Sequence, residues 1–511
     1  MSGAEWSRRA VIAGAAGLAA LPARALTPPV VDAPAGRFVG TAESGVLAFR
    51  GIRYGRAERF RAPVAVAMPG EIRPAQTFGP VCPQATRLGP QDEDCLFLNV
   101  WTAAADRRAG KPVLVYIHGG AYATGSVTDP MNDGHALAAR GDVVVVTVNH
   151  RLNAFGYLYL ARLDPRFADS GNAGQLDLMI ALRWVRDNIA AFGGDPGQVT
   201  VFGQSGGGAK IATMTAMPAA AGLFHRAITM SGQQVTASGP LHAHDRARAF
   251  LAKAGVAERD LAPLLVMPAA RLVEALSATD PIMGGNVSFA PVLDMRHLSR
   301  HPFWPDASPQ GLSVPMLLGN VRDETRGFIS PDGALVRGLD WANLPDRMAR
   351  ELRVDILPEW VVAEYRRREP GWSPADVLWA ATTAGRSWRG QVEEAEARAR
   401  AGTPAWVYQL DFGSPIDPVR GAFHTHDIPL VFGTLDAPGA KTGTGPAARK
   451  VSRTMQDAFV RFATTGSAPW PAYTLPRRAT MIFDVDSHVA DDPRRWQREL
   501  FARVPYIQPG S

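Results

Sequence analysis

The residues best placed to do chemistry lie where Val199-Thr200-Val201-Phe202 runs into Gly203-Gln204-Ser205-Gly206-Gly207. An apolar, β-branched run that stops at glycine and restarts as the helix-compatible segment 210–217 predicts a strand, a sharp turn and a helix. Gly203-x-Ser205-x-Gly207 has the spacing of a nucleophile elbow, in which small flanking residues let strand and helix pass closely and the serine is held out above the sheet. The helix that follows points its first N–H groups and its positive dipole end at the place where charge would form on an attacked carbonyl. Ser205 is therefore a candidate nucleophile for acyl transfer.

Further N–H groups are offered upstream. The apolar run 113–117 ends in His118-Gly119-Gly120-Ala121-Tyr122, whose consecutive glycines leave backbone N–H groups bare, the signature of an oxyanion loop. Runs 113–117 and 143–148 read as strands covered on both faces. Leu176, Ile180 and Trp184 have helical spacing within 172–190, and Phe192-Gly193-Gly194-Asp195-Pro196 turns that helix into the strand before Ser205. Strand, helix, strand, helix is the alternation of a mostly parallel α/β sheet flanked by helices.

Around this centre, 37–41 and 45–52 alternate apolar and polar residues and predict an antiparallel N-terminal edge. The Pro-rich stretch 62–90 reads as a surface loop, and 96–101 resumes strand character. Further strands are expected at 227–230, 314–319 and 405–410, with helical insertions at 241–254, 360–368 and 390–401. Repeats, heptads and low-complexity linkers are absent, so residues 26–511 are expected to form a single domain.

The chain has 511 residues and a formal charge of +6, enough length for a sizeable core. Arginine supplies most of the positive charge and is spread along the chain, so no basic face points to nucleic acid; Arg366-Arg367-Arg368 reads as a solvated helix end. Arg8-Arg9 precedes a mild Ala/Gly/Leu segment and Ala23-Arg24-Ala25 offers a small-x-small cleavage site, which makes residues 1–25 a twin-arginine-like export signal. A periplasmic or secreted protein is expected, and no later stretch is long and apolar enough to predict stable membrane insertion. In an oxidising compartment Cys82 and Cys95, the only cysteines, are expected to close a disulfide that stabilises by about 3 kcal/mol in the chain-entropy model. Two free buried thiols are the alternative.

Taken together, Glu93-Asp94-Cys95-Leu96-Phe97-Leu98-Asn99-Val100, the loop at 118–121, Gly193-Gly194-Asp195-Pro196 and the elbow resemble the type-B carboxylesterases, the cholinesterase-like and para-nitrobenzyl-esterase-like branch of the α/β-hydrolase fold. The resemblance runs along nearly the whole chain after residue 25. It implies a Ser-Glu-His triad in that chain order, with Gly319-Asn320-Val321-Arg322-Asp323-Glu324 supplying the acid and Phe423-His424-Thr425-His426-Asp427 the base. Ser205, Glu324 and His424 take those roles, with Asp323 and His426 as the competing neighbours. The resemblance also implies oxyanion donors from the N–H groups of Gly120, Ala121 and Gly206, and a supporting place near the acid for Ser231.

The substrate class it implies is a small carboxylic ester, with no cofactor; carbamates, activated amides and lactones are open to the same machinery. Gln204 stands where many relatives have glutamate, and the loop between Cys82 and Cys95 lacks tryptophan, so uncharged esters are expected and choline esters are not. Thr325 stands where relatives usually have glycine. Tyr122, Phe289 and the Phe303-Trp304 region are candidate pocket walls. His242-x-His244-Asp245 and His424-x-His426-Asp427 raise metal-assisted hydrolysis, but neither extends into a three- or four-ligand set and no metal is expected. A non-catalytic binding module is the remaining reading, and the sequence is silent on oligomeric state.

Overall fold

A computed structural model of the chain describes residues 28–86 and 88–508; the expected export segment, residues 1–25, lies outside them. Eleven strands form one sheet: β1 (Thr41–Glu43), β2 (Val46–Arg53), β3 (Phe97–Thr102), β4 (Lys111–Ile117), β5 (Val144–Val148), β6 (Gly194–Gln204), β7 (Arg226–Met230), β8 (Met316–Val321), β9 (Ala405–Leu410), β10 (Ala479–Phe483) and β11 (His488–Asp491). Their spatial order is β11-β10-β9-β8-β7-β6-β4-β5-β3-β2-β1. The strands from β5 to β10 in that order pair in parallel, and both edges turn antiparallel.

The alternation of side chains along each strand divides the core in two. Val113, Val115 and Ile117 of β4 pack into one apolar layer, which includes Leu178, Leu182 and Val185 of helix α1 (Ala173–Asn188). Leu114 and Tyr116 face the other, which includes Met455, Phe459 and Phe462 of the last long helix (Pro446–Thr465). Each such buried side chain is worth about 2 kcal/mol of transfer free energy. A third apolar cluster is independent of the sheet and gathers the helical insertion between β8 and β9. That insertion contains α3 (Leu344–Leu352), α4 (Pro374–Thr382), a π-helical turn at Thr383–Trp388 and α5 (Arg389–Arg400). Helix α2 (Gly206–Met214) follows β6 directly, α6 (Asp427–Phe432) follows the β9 loop, and the helix at Pro446–Thr465 is α7.

Several boundaries differ from the sequence reading. Segment 62–90 contains two short strands, Val64–Ala65 and Ile72–Pro74, because Ile72 to Pro74 pair in parallel with residues 37–39 at a small second sheet. The turn before β6 is confined to Gly193, at φ +87°, since Gly194 already pairs with Lys111 before a register shift to Val199. Among the described residues no helix is long and apolar enough to cross a membrane.

Strand order reverses across β5-β4-β6, which opens a crevice at the carboxyl ends of the strands, where ligands of open α/β sheets bind. The oxyanion loop leaves the end of β4, the elbow the end of β6, the acid segment the end of β8 and the histidine segment follows β9. Four chain segments distant in sequence therefore converge at one rim.

Candidate active site

Ser205 occupies the strained turn at φ +55°, ψ −125°, a conformation that costs a non-glycine residue about 1–3 kcal/mol and that the flanking elements hold in place. Its N–H extends the β6–β7 pairing by donating to the Met230 carbonyl at 2.7 Å. The small residues after it are needed for close approach: a Cβ on Gly206 would lie 2.0 Å from the Ala121 carbonyl oxygen, and one on Gly207 would lie 1.9 Å from that of Ile117. Helix and oxyanion loop are thus in backbone contact. Gly120 and Ala121 both have positive φ, +88° and +53°. Among the described residues the N–H groups of Gly120, Ala121 and Gly206 are spent on no protein acceptor.

Behind this loop is a residue to which the sequence reading gave no role. Lys210, on α2, is 0% exposed; its Nζ donates to the Ala121 carbonyl at 2.7 Å and sits 4.9 Å from the centre of the Tyr122 ring. Burial lowers its pKa from 10.5 to about 7. Below about pH 7 folded and unfolded chains both carry the proton, and the folded chain bears the whole cost of the buried charge. Between about 7 and 10.5 the unfolded chain holds a proton that the folded chain has released, so the cost falls as pH rises. Lys210→Met is therefore expected to be more stabilising at pH 6 than at pH 9 by about 3 kcal/mol, read from urea unfolding of both proteins at both pH values. Equal differences at the two pH values would mean that Lys210 is not a buried titrating group.

The two carboxylates of the acid segment point in different directions. Glu324 is fully buried; its Oε2 is 2.5 Å from His424 Nδ1, and its Oε1 accepts from Asn320 Nδ2 at 2.7 Å and from the Val321 N–H at 3.0 Å. Asp323 faces away: it accepts the Ala422 N–H at 2.9 Å and lies beside Arg322 and Arg326. Thr325 fastens this turn to the helical insertion, with Oγ1 donating to the Trp379 carbonyl at 2.7 Å and lying 2.8 and 2.9 Å from the hydroxyls of Thr382 and Thr383. A glycine there could make none of these side-chain bonds.

On its other side His424 Nε2 accepts from Gln204 Nε2 at 3.2 Å. An amide N–H needs a lone pair, so this contact and the Glu324 contact together require the tautomer protonated on Nδ1. Ser205 Oγ makes no hydrogen bond within the described residues, and the Gln204 amide holds the lone pair that a serine proton would need. His426 is not part of this group. Its ring packs against Phe412 and Phe423, neither nitrogen has a partner among the described residues, and burial lowers its pKa to about 4.

Ser231, at φ +51°, lines the cavity with its buried hydroxyl unpartnered among the described residues, and it makes no bond to Glu324. The cavity is about 610 Å³ and includes Ser205, His424, Tyr122, Phe289, Phe328 and Phe423 in its walls. The Phe328 ring lies 4.5 Å from that of His424. Phe303 and Trp304 are not walls: Phe303 is buried in the core, and Trp304 is 59% exposed. Among the described residues no three His, Cys, Asp or Glu side chains come together as a metal ion would require. Cys82 and Cys95 stand as two buried thiols near one another, and a hydrogen bond to Cys82, with burial, pushes the Cys95 thiol well above its usual range.

A serine on a strained strand-to-helix turn, a carboxylate-held histidine and bare N–H groups at the carboxyl rim of a mostly parallel sheet define an α/β-hydrolase. The sequence pattern of the Carboxylesterase family matches residues 27–492, and the chain belongs to that family. It is 35% identical over 502 residues to the para-nitrobenzyl esterase of Bacillus subtilis, covering 93% of this chain and 98% of that one. Phenmedipham hydrolase of Pseudarthrobacter oxydans is 30% identical, covering 92% and 98%. Among solved structures, the Geobacillus stearothermophilus carboxylesterase EST55 superposes with a TM-score of 0.83 at 37% identity, covering 92% of this chain and 99% of that one. The protein is a serine hydrolase of carboxylic esters.

Proposed function

We propose that the reaction runs through Ser205 as nucleophile, His424 as general base and then general acid, and Glu324 as the group that fixes and stabilises the imidazole. The observation that supports this most directly is the 2.5 Å contact between Glu324 and His424, which leaves Nε2 as the acceptor at the elbow. Substrate entry would turn the Gln204 amide off Nε2 and admit the Ser205 proton. Ser205 Oγ then bonds to the ester carbonyl carbon as its proton passes to His424. The oxyanion is received by the N–H groups of Gly120, Ala121 and Gly206, each worth roughly 3 kcal/mol in related sites. Collapse expels the alcohol with the proton from His424, and water releases the acid by the reverse sequence. A p-nitrophenyl ester series from acetate to dodecanoate tests this. Turnover should be blocked by a fluorophosphonate that adds one phosphonyl group to the Ser205 peptide, and labelling elsewhere with loss of activity would overturn the assignment.

Uncharged esters are the proposed substrates, as against cationic ones. Gln204 is neutral and none of the described residues lining the cavity is Asp or Glu, so none of them offers a counter-charge to an ammonium group. Acetylcholine is expected to be turned over at least 10-fold less efficiently than its uncharged analogue 3,3-dimethylbutyl acetate, compared by kcat/KM in a pH-stat. Equal efficiencies would overturn this.

Export of a chain cut after residue 25 is proposed from Arg8-Arg9 and Ala23-Arg24-Ala25, and closure of Cys82 to Cys95 with it. Intact mass of protein recovered from the periplasm or medium, alkylated with and without reduction, checks both. The expected result is a mass that begins at residue 26 and thiols that label only after reduction.

A further inference from the structure

Among the described residues, the cavity that holds Ser205 and His424 is lined by three arginines, Arg353, Arg386 and Arg420, and by no acidic side chain. Two of the three are neutralised from outside. Arg386 Nη1 pairs with Glu351 at 3.0 Å and its guanidinium lies 5.0 Å from the Phe328 ring centre; Arg420 Nε pairs with Asp417 at 3.1 Å. Arg353 is the exception. It caps α3 in the left-handed conformation, at φ +53°, and makes no ion pair or hydrogen bond among the described residues. Burial of Arg386, and after it the charge of Arg353, lower Arg386 to about 10 against the opposing pull of Glu351.

An unmatched guanidinium beside a second one, facing a reaction cavity, presents the fork geometry that takes a carboxylate with two parallel hydrogen bonds. We propose that this wall is a carboxylate subsite, and that the preferred substrates are esters bearing a free carboxylate away from the scissile carbonyl, such as half-esters of dicarboxylic acids. The proposal rests on the ester-hydrolase reading above and extends it from uncharged esters to anionic ones. Arg353 is the specificity-determining residue and supplies the fork, and Arg386, already paired with Glu351, adds positive charge to the same wall. The chemistry at Ser205 is unchanged: the ester bond breaks, water supplies hydroxide to the acyl carbon and a proton to the alcohol, and the carboxylate is only held.

The test compares two matched pairs by kcat/KM: monoethyl adipate against ethyl hexanoate, and 6-acetoxyhexanoate against hexyl acetate. These place the carboxylate on the acyl side and the alcohol side respectively. In at least one pair the wild-type protein should favour the anion by about 10-fold, and Arg353→Gln should lower that ratio by about 10- to 100-fold through KM, the usual worth of a charge-assisted hydrogen-bonded contact. Arg353→Lys should fall between. Raising ionic strength from 20 to 500 mM should shrink the wild-type ratio, a readout that does not depend on any variant folding. A ratio of one or less in both pairs, or a ratio that neither salt nor Arg353→Gln moves, overturns the subsite. Loss of Ser205-dependent turnover of the two neutral esters as well would instead overturn the ester-hydrolase reading itself.

Discussion

Ser205→Ala is expected to lower kcat for p-nitrophenyl butyrate by about 10⁶-fold with KM changed only a few-fold. The expectation follows from what the rest of the site can do without an oxygen at the elbow. His424 would keep its Glu324 contact and the three N–H groups would still be bare, so a residual rate over water survives from binding and oxyanion stabilisation. No acyl-enzyme could form, and the burst of p-nitrophenol should vanish with the steady-state rate. The fold should be untouched, because the hydroxyl makes no bond within the described residues and removing it relieves no buried partner. A variant that unfolds at the same urea concentration and yet retains wild-type turnover would place the nucleophile elsewhere.

The second large effect is expected from Glu324→Gln, about 10⁴-fold in kcat, a size set by the wrong imidazole tautomer rather than by lost packing. The carboxylate now accepts from Nδ1–H. An amide nitrogen in its place would donate to Nδ1 and drive the proton to Nε2, the atom that must accept from Ser205. The bonds from Asn320 and the Val321 N–H go to Oε1, which an amide oxygen can replace, so the segment should stay folded. Glu324→Asp should recover part of the activity, and His426→Phe should stay within a few-fold of wild type because His426 is packed on Phe412 and Phe423 with no polar partner. The two steady-state assays together separate the neighbours that the sequence offered as alternatives. Full activity in Glu324→Gln, or collapse in His426→Phe, would reverse the assignment.

Much of the candidate site was legible because local motifs carry it. An elbow of glycines around one serine, and a strand ending in Gly119-Gly120, each report backbone geometry from a few adjacent residues, and the parallel strands announced themselves as unbroken apolar runs. Glu324 and His424 were picked out as candidates only through resemblance, since nothing in their spacing shows that β8 and β9 are neighbours. What went unread depends on contacts that no local pattern encodes. Lys210 looks like one polar residue in a helix until the oxyanion loop is laid over it. Thr325 finds its partners more than fifty residues on, at Trp379, Thr382 and Thr383. The C-terminal strands β10 and β11 carry too short a local signal to be read and are fixed by pairing with an already formed sheet.

The helical insertion between β8 and β9 has its own apolar cluster and touches the catalytic frame at a few points, Thr325 among them. Arg353, Arg386 and Phe328 all belong to it, whereas Ser205 and the oxyanion N–H groups belong to the sheet. Under the proposed reading, the nucleophile and the arginine wall would therefore be written in separate parts of the chain. Such a partition gives the lineage freedom to redraft one without relearning the other, so descendants of this scaffold can diverge in diet while keeping the same chemistry.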